Sequence, residues 1–220
     1  MDYHKKIAKF GLDIGAVKVR PTKPFNWVAG DIMPVYNDNR LFLEHPSYRR
    51  LFAECFAKII SDENIACDVI AGTANSGIPF STTLADLLEK PLIYVRKNSK
   101  GHGMENQIEG IDSESDLLRD KNVILIKDLI STGETSMNAI NAIRNKNGNC
   151  NYCFSIFDYE FPVSKNDFES LNPPCQVRSL LTYDQLFEVA KNSDYFNKQE
   201  IQLLEEWRKD PFNWSKKYNF

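Results

Sequence analysis

The 220-residue chain predicts an α/β fold, a doubly wound and mainly parallel sheet with a small N-terminal lobe and a helical C-terminal tail. Three observations point there. Aliphatic runs at 68–72, 91–95 and 122–126 alternate with segments of helical pattern, the order that builds parallel strands joined by crossover helices. Val123, Ile124, Leu125 and Ile126 are apolar without alternation, as in a strand covered on both faces. Turns of small residues at 73–77 and 131–135 then lead from strand to helix.

Taken in order, residues 2–15 predict a helix with Ile7, Phe10, Leu12 and Ile14 on its apolar side and Gly11 weakening its middle. A short strand over 16–20 ends at Pro21. Residues 23–40, rich in aromatics and turn formers, predict a hairpin or lobe laid across a larger sheet. His45 and Pro46 stop the chain, and Ser47 is the expected N-cap of a helix over 48–61. Strands follow at 68–72, 91–95, 122–127 and 151–157, with helices over 79–89 and 136–145 between them. The connection 96–120 has no helical pattern, and a connection of that length inside a domain is usually a functional lid. The tail predicts helices over 183–192 and 198–209, with Leu186, Phe187, Val189, Leu204 and Trp207 available for docking.

Composition narrows the functional classes. A hydrophobic content of 42% and a charged content of 26% suit a soluble globular protein. The net charge of −3 offers no general polyanion surface, so nucleic acid is not an expected partner. With no apolar run of membrane-spanning length and no signal-like N-terminus, no membrane association is expected, and the expected location is cytoplasmic. The five cysteines, Cys55, Cys67, Cys150, Cys153 and Cys175, are scattered and odd in number, which fits free thiols in a reducing compartment. Cys150 and Cys153 have CxxC spacing. In a strand, however, positions i and i+3 face opposite sides, so they read as buried small apolar residues rather than a zinc or redox pair.

The residues that carry chemistry sit where strands end. After Asp128, the small residues Ser131, Thr132, Gly133, Glu134 and Thr135 lead into a helix, whose unpaired N-terminal amides suit a phosphate. Thr73, Ala74, Asn75, Ser76 and Gly77 form a second turn in which successive amides can face a pyrophosphate. Arg96, Lys97, Lys100 and His102 place positive charge and a titratable ring in one glycine-bearing loop, able to close over an anion and stabilise a leaving group.

The turn after Asp128 resembles the phosphoribosyl pyrophosphate (PRPP) signature of type I phosphoribosyltransferases. The loop 96–110, RKNSKGHGMENQIEG, resembles the mobile catalytic loop of the orotate phosphoribosyltransferase family. Collinear likenesses at 14–18 (IGAVK), 24–27 (PFNW), 38–40 (DNR), 72–79 (GTANSGIP) and 207–211 (WRKDP) extend it over nearly the whole chain. The resemblance implies the type I phosphoribosyltransferase fold in one domain: an N-terminal helix and hood lobe at 1–45, a PRPP-binding core at 46–160 and a C-terminal extension at 161–220. It implies synthesis of orotidine 5′-monophosphate and pyrophosphate from orotate and PRPP, in de novo formation of UMP. Lys100, His102 and Asp128 would be catalytic. Asp128 would hold the ribose hydroxyls, with Leu129, Ile130, Ser131, Thr132, Gly133, Glu134 and Thr135 around the 5′-phosphate and Ser131 also touching orotate. Arg96, Lys97, Lys100 and His102 would meet the pyrophosphate, as would the 73–77 turn. Mg²⁺ would enter mainly on PRPP oxygens, without a dedicated protein metal site. A homodimer is implied, the basic loop of each subunit reaching its neighbour's site.

This chain departs from the family pattern in three places. Lys127 stands where the family usually has an acid, and a lysine cannot accept a hydrogen bond from a ribose hydroxyl. The segment 29–34 lacks the serines and basic residue usual there, with Ala29, Ile32 and Met33 in their neighbourhood. Glu134 adds negative charge to a phosphate turn. The segment 29–34 keeps open a type I transferase for another base, and Lys127 with Glu134 keeps open a non-catalytic PRPP- or nucleotide-sensing regulator.

Overall fold

The computed structural model describes residues 3–27, 30–97, 107–112, 114–192 and 195–218. The chain divides into two units, Met1–Leu41 with Asp184–Phe220, and Phe42–Tyr183. In the first, helix α1 (Tyr3–Asp13) buries Ile7, Ala8 and Gly11. Strand β1 (Val17–Val19) is followed by the hairpin of β2 (Phe25–Asn26) and β3 (Ile32–Met33), and then by β4 (Val35–Asn37), which pairs antiparallel with β1. Trp27 Nε1 donates to the Val35 carbonyl at 3.1 Å, tying the hairpin to β4. The expected lobe is therefore two small antiparallel pairs.

The first α-helix of the second unit is α2 (Pro46–Asp62). Its N-cap is His45, not Ser47 as the sequence predicts. Pro46 takes the first helical position, where the missing N–H costs nothing and φ is already fixed, and this draws the helix start two residues earlier. Then come β5 (Val69–Thr73), α3 (Ile78–Leu88), β6 (Leu92–Val95), β7 (Ile108–Glu109), β8 (Asn122–Ile130), α4 (Glu134–Arg144), β9 (Asn149–Asp158), α5 (Pro162–Ser170) and β10 (Gln176–Thr182). The six strands lie in the order β10-β9-β8-β5-β6-β7, all pairs parallel except β6 with β7. Helices cover both faces. Phe56 of α2 meets Phe154 of β9 at 5.5 Å between ring centres, and Phe52 meets Phe80 of α3 at 5.9 Å. On the other face Ala139, Ile140 and Ile143 of α4 pack with Val69, Ala71, Val123 and Leu125.

Two corrections concern the strands. Strand β8 does not stop at the charged pair Lys127 and Asp128 but runs to Ile130, because β9 pairs with it as far as Ile130 opposite Asp158. Its pairing with β5 ends earlier, at Ile126 opposite Gly72. The second concerns the cysteines. Strand β9 carries an extra residue between the pairs Asn122–Asn149 and Ile124–Tyr152, and that bulge cancels the alternation. Cys150 and Cys153 are consequently both buried in one apolar cluster with Leu125 and Cys175, as free thiols. The neighbouring Cys175 thiol and burial push Cys150 well above the usual thiol range, and burial does the same for Cys153.

Within 161–182, α5 buries Ser164 and Phe168, and β10 pairs with β9 through most of its length. The Ser155 and Ser179 hydroxyls lie 2.7 Å apart across those strands, and Arg178 pairs with Glu63 at 2.8 Å. Neither α5 nor β10 has a strong apolar pattern in the sequence.

The remaining helices, α6 (Tyr183–Lys191), α7 (Lys198–Lys209) and α8 (Trp214–Tyr218), follow the sequence reading apart from the short last one. Asn197 and Glu200 form a reciprocal capping box at the start of α7. Trp207 is fully buried and donates its indole N–H to Met33 Sδ at 3.2 Å. Arg208 pairs with Asp184 at 2.8 Å. No described helix is long and apolar enough to cross a membrane.

Candidate active site

The order of strands locates the site. From β5 the chain winds outward through β6, then returns to place β8 on the other side of β5. The crevice beyond the carboxyl ends of strands at such a reversal is where α/β sheets bind ligands. The 73–77 turn leaves β5 there, and the 131–135 turn leaves β8 there.

Gly77 shows how tightly the first turn folds back. A Cβ at this residue would lie 2.7 Å from the Ile126 carbonyl oxygen and 2.8 Å from the Thr73 nitrogen, distances no side chain tolerates. Gly77 N donates to the Thr73 carbonyl at 2.9 Å, closing the turn, and the Ala74–Asn75 peptide is cis. Gly72 is confined as well, since its Cβ would meet Ser81 Oγ at 2.3 Å and Ile78 Cα at 3.2 Å. Thr73 Oγ1 is buried without a hydrogen-bond partner among the described residues.

The second turn rests on Gly133. It caps α4 at φ 89°, a left-handed conformation that a residue with a Cβ adopts only at a cost. Ser136 and Met137 donate their amides back to the Gly133 carbonyl at 2.9 and 3.0 Å. The amides of Glu134 and Thr135 make no backbone hydrogen bond among the described residues, as is usual at a helix start, where the dipole favours an anion. Glu134 is exposed at the first position of α4, so its charge projects to solvent. Ser131, Thr132 and Asp128 are half-buried. Ile130 is buried at 1% exposure and paired with Asp158, so any contact it makes with a phosphate falls to its backbone. Leu129 pairs with Phe157 on the same strands.

Lys127 is not arranged as a substitute for the expected acid. It is buried, 7% exposed, and its Nζ donates to Thr135 Oγ1 at 3.0 Å, beside the start of α4. Successive strand residues face opposite sides, which separates its ammonium from the Asp128 carboxylate.

Arg96 and Lys97 follow β6, the neighbour of β5. The Arg96 backbone N–H donates to the Gln107 carbonyl at 2.9 Å, and Gln107 Nε2 returns to the Arg96 carbonyl at 2.9 Å. The two flanks of the basic loop are thereby clamped at the sheet edge, where Arg96 also meets Glu109 at 3.3 Å. Lys100 and His102 lie outside the described residues, as does Ala29. Met33, by contrast, is packed beneath Trp207, so its departure from the family pattern is a packing choice within the first unit.

The structure thus brings together Asp128 and both turns, with Arg96 and Lys97 on the next strand end. What the sequence reading missed was the Lys127–Thr135 pair. Eight residues separate them, and the direction of the Lys127 side chain follows from the prolonged strand.

Residues 41–159 match the family described as phosphoribosyl transferase domain, which defines the class of this fold and site. The chain is 37% identical to the orotate phosphoribosyltransferase of Cytophaga hutchinsonii, over 98% of this chain and 100% of that one. It is 38% identical to that of Listeria monocytogenes over the same shares. The crystal structure of orotate phosphoribosyltransferase from Aeropyrum pernix superposes with a TM-score of 0.71 at 24% identity, covering 85% of this chain and 99% of that one. The chain belongs to the orotate phosphoribosyltransferase family.

Proposed function

We propose that this protein transfers ribose 5-phosphate from PRPP to orotate, giving orotidine 5′-monophosphate and pyrophosphate in the de novo route to UMP. The observation that carries the reading is the meeting of Asp128, the 73–77 turn and the 131–135 turn at one strand reversal. The turn beginning α4 takes the 5′-phosphate, Asp128 accepts from the ribose hydroxyls, and the turn after β5 takes the pyrophosphate. Ser131 and backbone groups hold orotate. Arg96, Lys97, Lys100 and His102 close over the pyrophosphate as negative charge grows on it, the situation in which preorganised cations contribute most. The bond from the anomeric carbon to the pyrophosphate oxygen breaks as the orotate nitrogen bonds to that carbon, with oxocarbenium character between, and the proton on that nitrogen passes to the departing pyrophosphate. Positioning and charge stabilisation are the protein's contribution, and no enzyme nucleophile is required.

Among the described residues at the ends of β5 and β8, the side chains suited to a metal offer oxygen, among them the Asp128 carboxylate and the hydroxyls of Thr73, Ser76, Ser131 and Thr132. That set fits a hard divalent cation whose remaining ligands come from substrate and water. Mg²⁺ bound through PRPP would neutralise phosphate charge. The basic loop is shared across a homodimer, the protein works in the cytoplasm, and nucleic acid is not a partner. The whole chain acts as one phosphoribosyltransferase domain.

A panel of bases tests the choice of acceptor. PRPP consumption should depend on orotate and not on uracil, adenine or hypoxanthine. Turnover with a purine and none with orotate would overturn the reading.

A further inference from the structure

Lys127 presents a physical problem that the reaction as outlined does not use. Its ammonium is buried, its bonded partner is the neutral Thr135 hydroxyl, and it forms no ion pair among the described residues. A buried cation without counter-charge is costly. It also stands beside the N-terminal turn of α4, where the helix dipole already disfavours positive charge. Glu134, in the same turn, is exposed and forms no ion pair with Lys127 among the described residues. Both penalties have the same sign, and an anion held at the 131–135 turn relieves both.

The hydrogen bond has a direction as well as a length. An ammonium has donors only, so Thr135 Oγ1 accepts from Lys127 and keeps its own hydrogen to donate elsewhere. Thr135 is exposed, so that donor is accessible at the surface of the turn. We propose that Lys127 is a positioning residue that charges the floor of this turn and orients the Thr135 hydroxyl toward a phosphate monoester. The chain's departure from its family at this position is then a gain of phosphate affinity. The proposal rests on the reading of the 131–135 turn as the 5′-phosphate site.

Calorimetry with two probes tests it: ribose 5-phosphate, which carries the 5′-phosphate alone, and inorganic pyrophosphate with Mg²⁺. Lys127→Met should weaken ribose 5-phosphate by about ten-fold or more while leaving pyrophosphate within about two-fold, as expected for loss of one charge-assisted contact. Thr135→Val should weaken ribose 5-phosphate too, and should add little in the Lys127→Met background, because the two act as one unit. In steady state the lysine variant should raise KM for PRPP much more than it lowers kcat. Unchanged ribose 5-phosphate affinity in Lys127→Met, or equal losses for both probes, would overturn the proposal. Should that variant fail to fold, the exposed Thr135→Val decides alone, and unchanged affinity there overturns it. A parent protein that fails to bind ribose 5-phosphate would remove the phosphate reading itself, whereas binding that ignores both substitutions removes only the role of Lys127.

Discussion

Gly133 and Gly77 make the site possible for different reasons. At Gly77 the obstacle is space, since a Cβ would meet backbone atoms that cannot move aside. At Gly133 the obstacle is conformation, because φ is 89° and the nearest neighbour of a Cβ would be Ser164 Cβ at 3.3 Å. Gly133→Ala should therefore cost about 1–2 kcal/mol, the usual penalty for a Cβ in the left-handed region. It should also weaken PRPP binding, since the amides of the turn are aimed by that conformation. Urea denaturation and a PRPP titration on the same variant check both. An alanine variant as stable as the parent would mean that the turn has another conformation.

At the scale of elements, the start of β8 is pinned by Asp68, whose carboxylate accepts from Asn122 N at 2.8 Å and from Asn122 Nδ2 at 3.0 Å. The backbone hydrogen bond, followed by that from the side chain, holds the Asp68 carboxyl below its usual range. A depressed carboxyl contributes stability that is present above its unfolded value of about 3.9 and is lost as pH falls through the lower folded value. Asp68→Asn should thus lose about 1 kcal/mol at pH 7, the worth of one such bond, with the difference from the parent shrinking below about pH 4. Denaturant titrations at pH 7 and pH 3 measure it, and a difference independent of pH would contradict the account.

The same scale shows what the sequence could tell. The parallel core and both turns were legible because aliphatic runs in β5 and β8 give way to the small residues of 73–77 and 131–135, while the run in β6 gives way to Arg96 and Lys97. Helix α5 and strand β10 were not, since their stability comes from neighbours: Phe168 against α4 and the sheet, Ser179 against Ser155, Arg178 against Glu63. The length of β8 was misread for a similar reason. Charge at Lys127 and Asp128 looks like an end, yet pairing with β9 carries the strand to Ile130. The bulge in β9 has no local signal either, and it alone puts Cys150 and Cys153 on one side.

For the whole molecule, the proposed sharing of the basic loop makes each site a joint product of two subunits. Lys100→Ala and Asp128→Asn chains, each nearly inactive alone, should recover activity when mixed and allowed to exchange, because one site of the hybrid then has an intact loop and an intact Asp128. Statistical pairing limits recovery to about a quarter of the parent's activity, since half of the dimers are hybrid and each has one sound site. Confirmed exchange without recovery would show that loop and turn act within one chain.

The most direct test of the account is the reaction itself. The purified chain, incubated with orotate, PRPP and Mg²⁺, should form orotidine 5′-monophosphate and pyrophosphate in equal amounts, with none when PRPP or orotate is omitted. A folded protein that binds PRPP but forms neither product would contradict it.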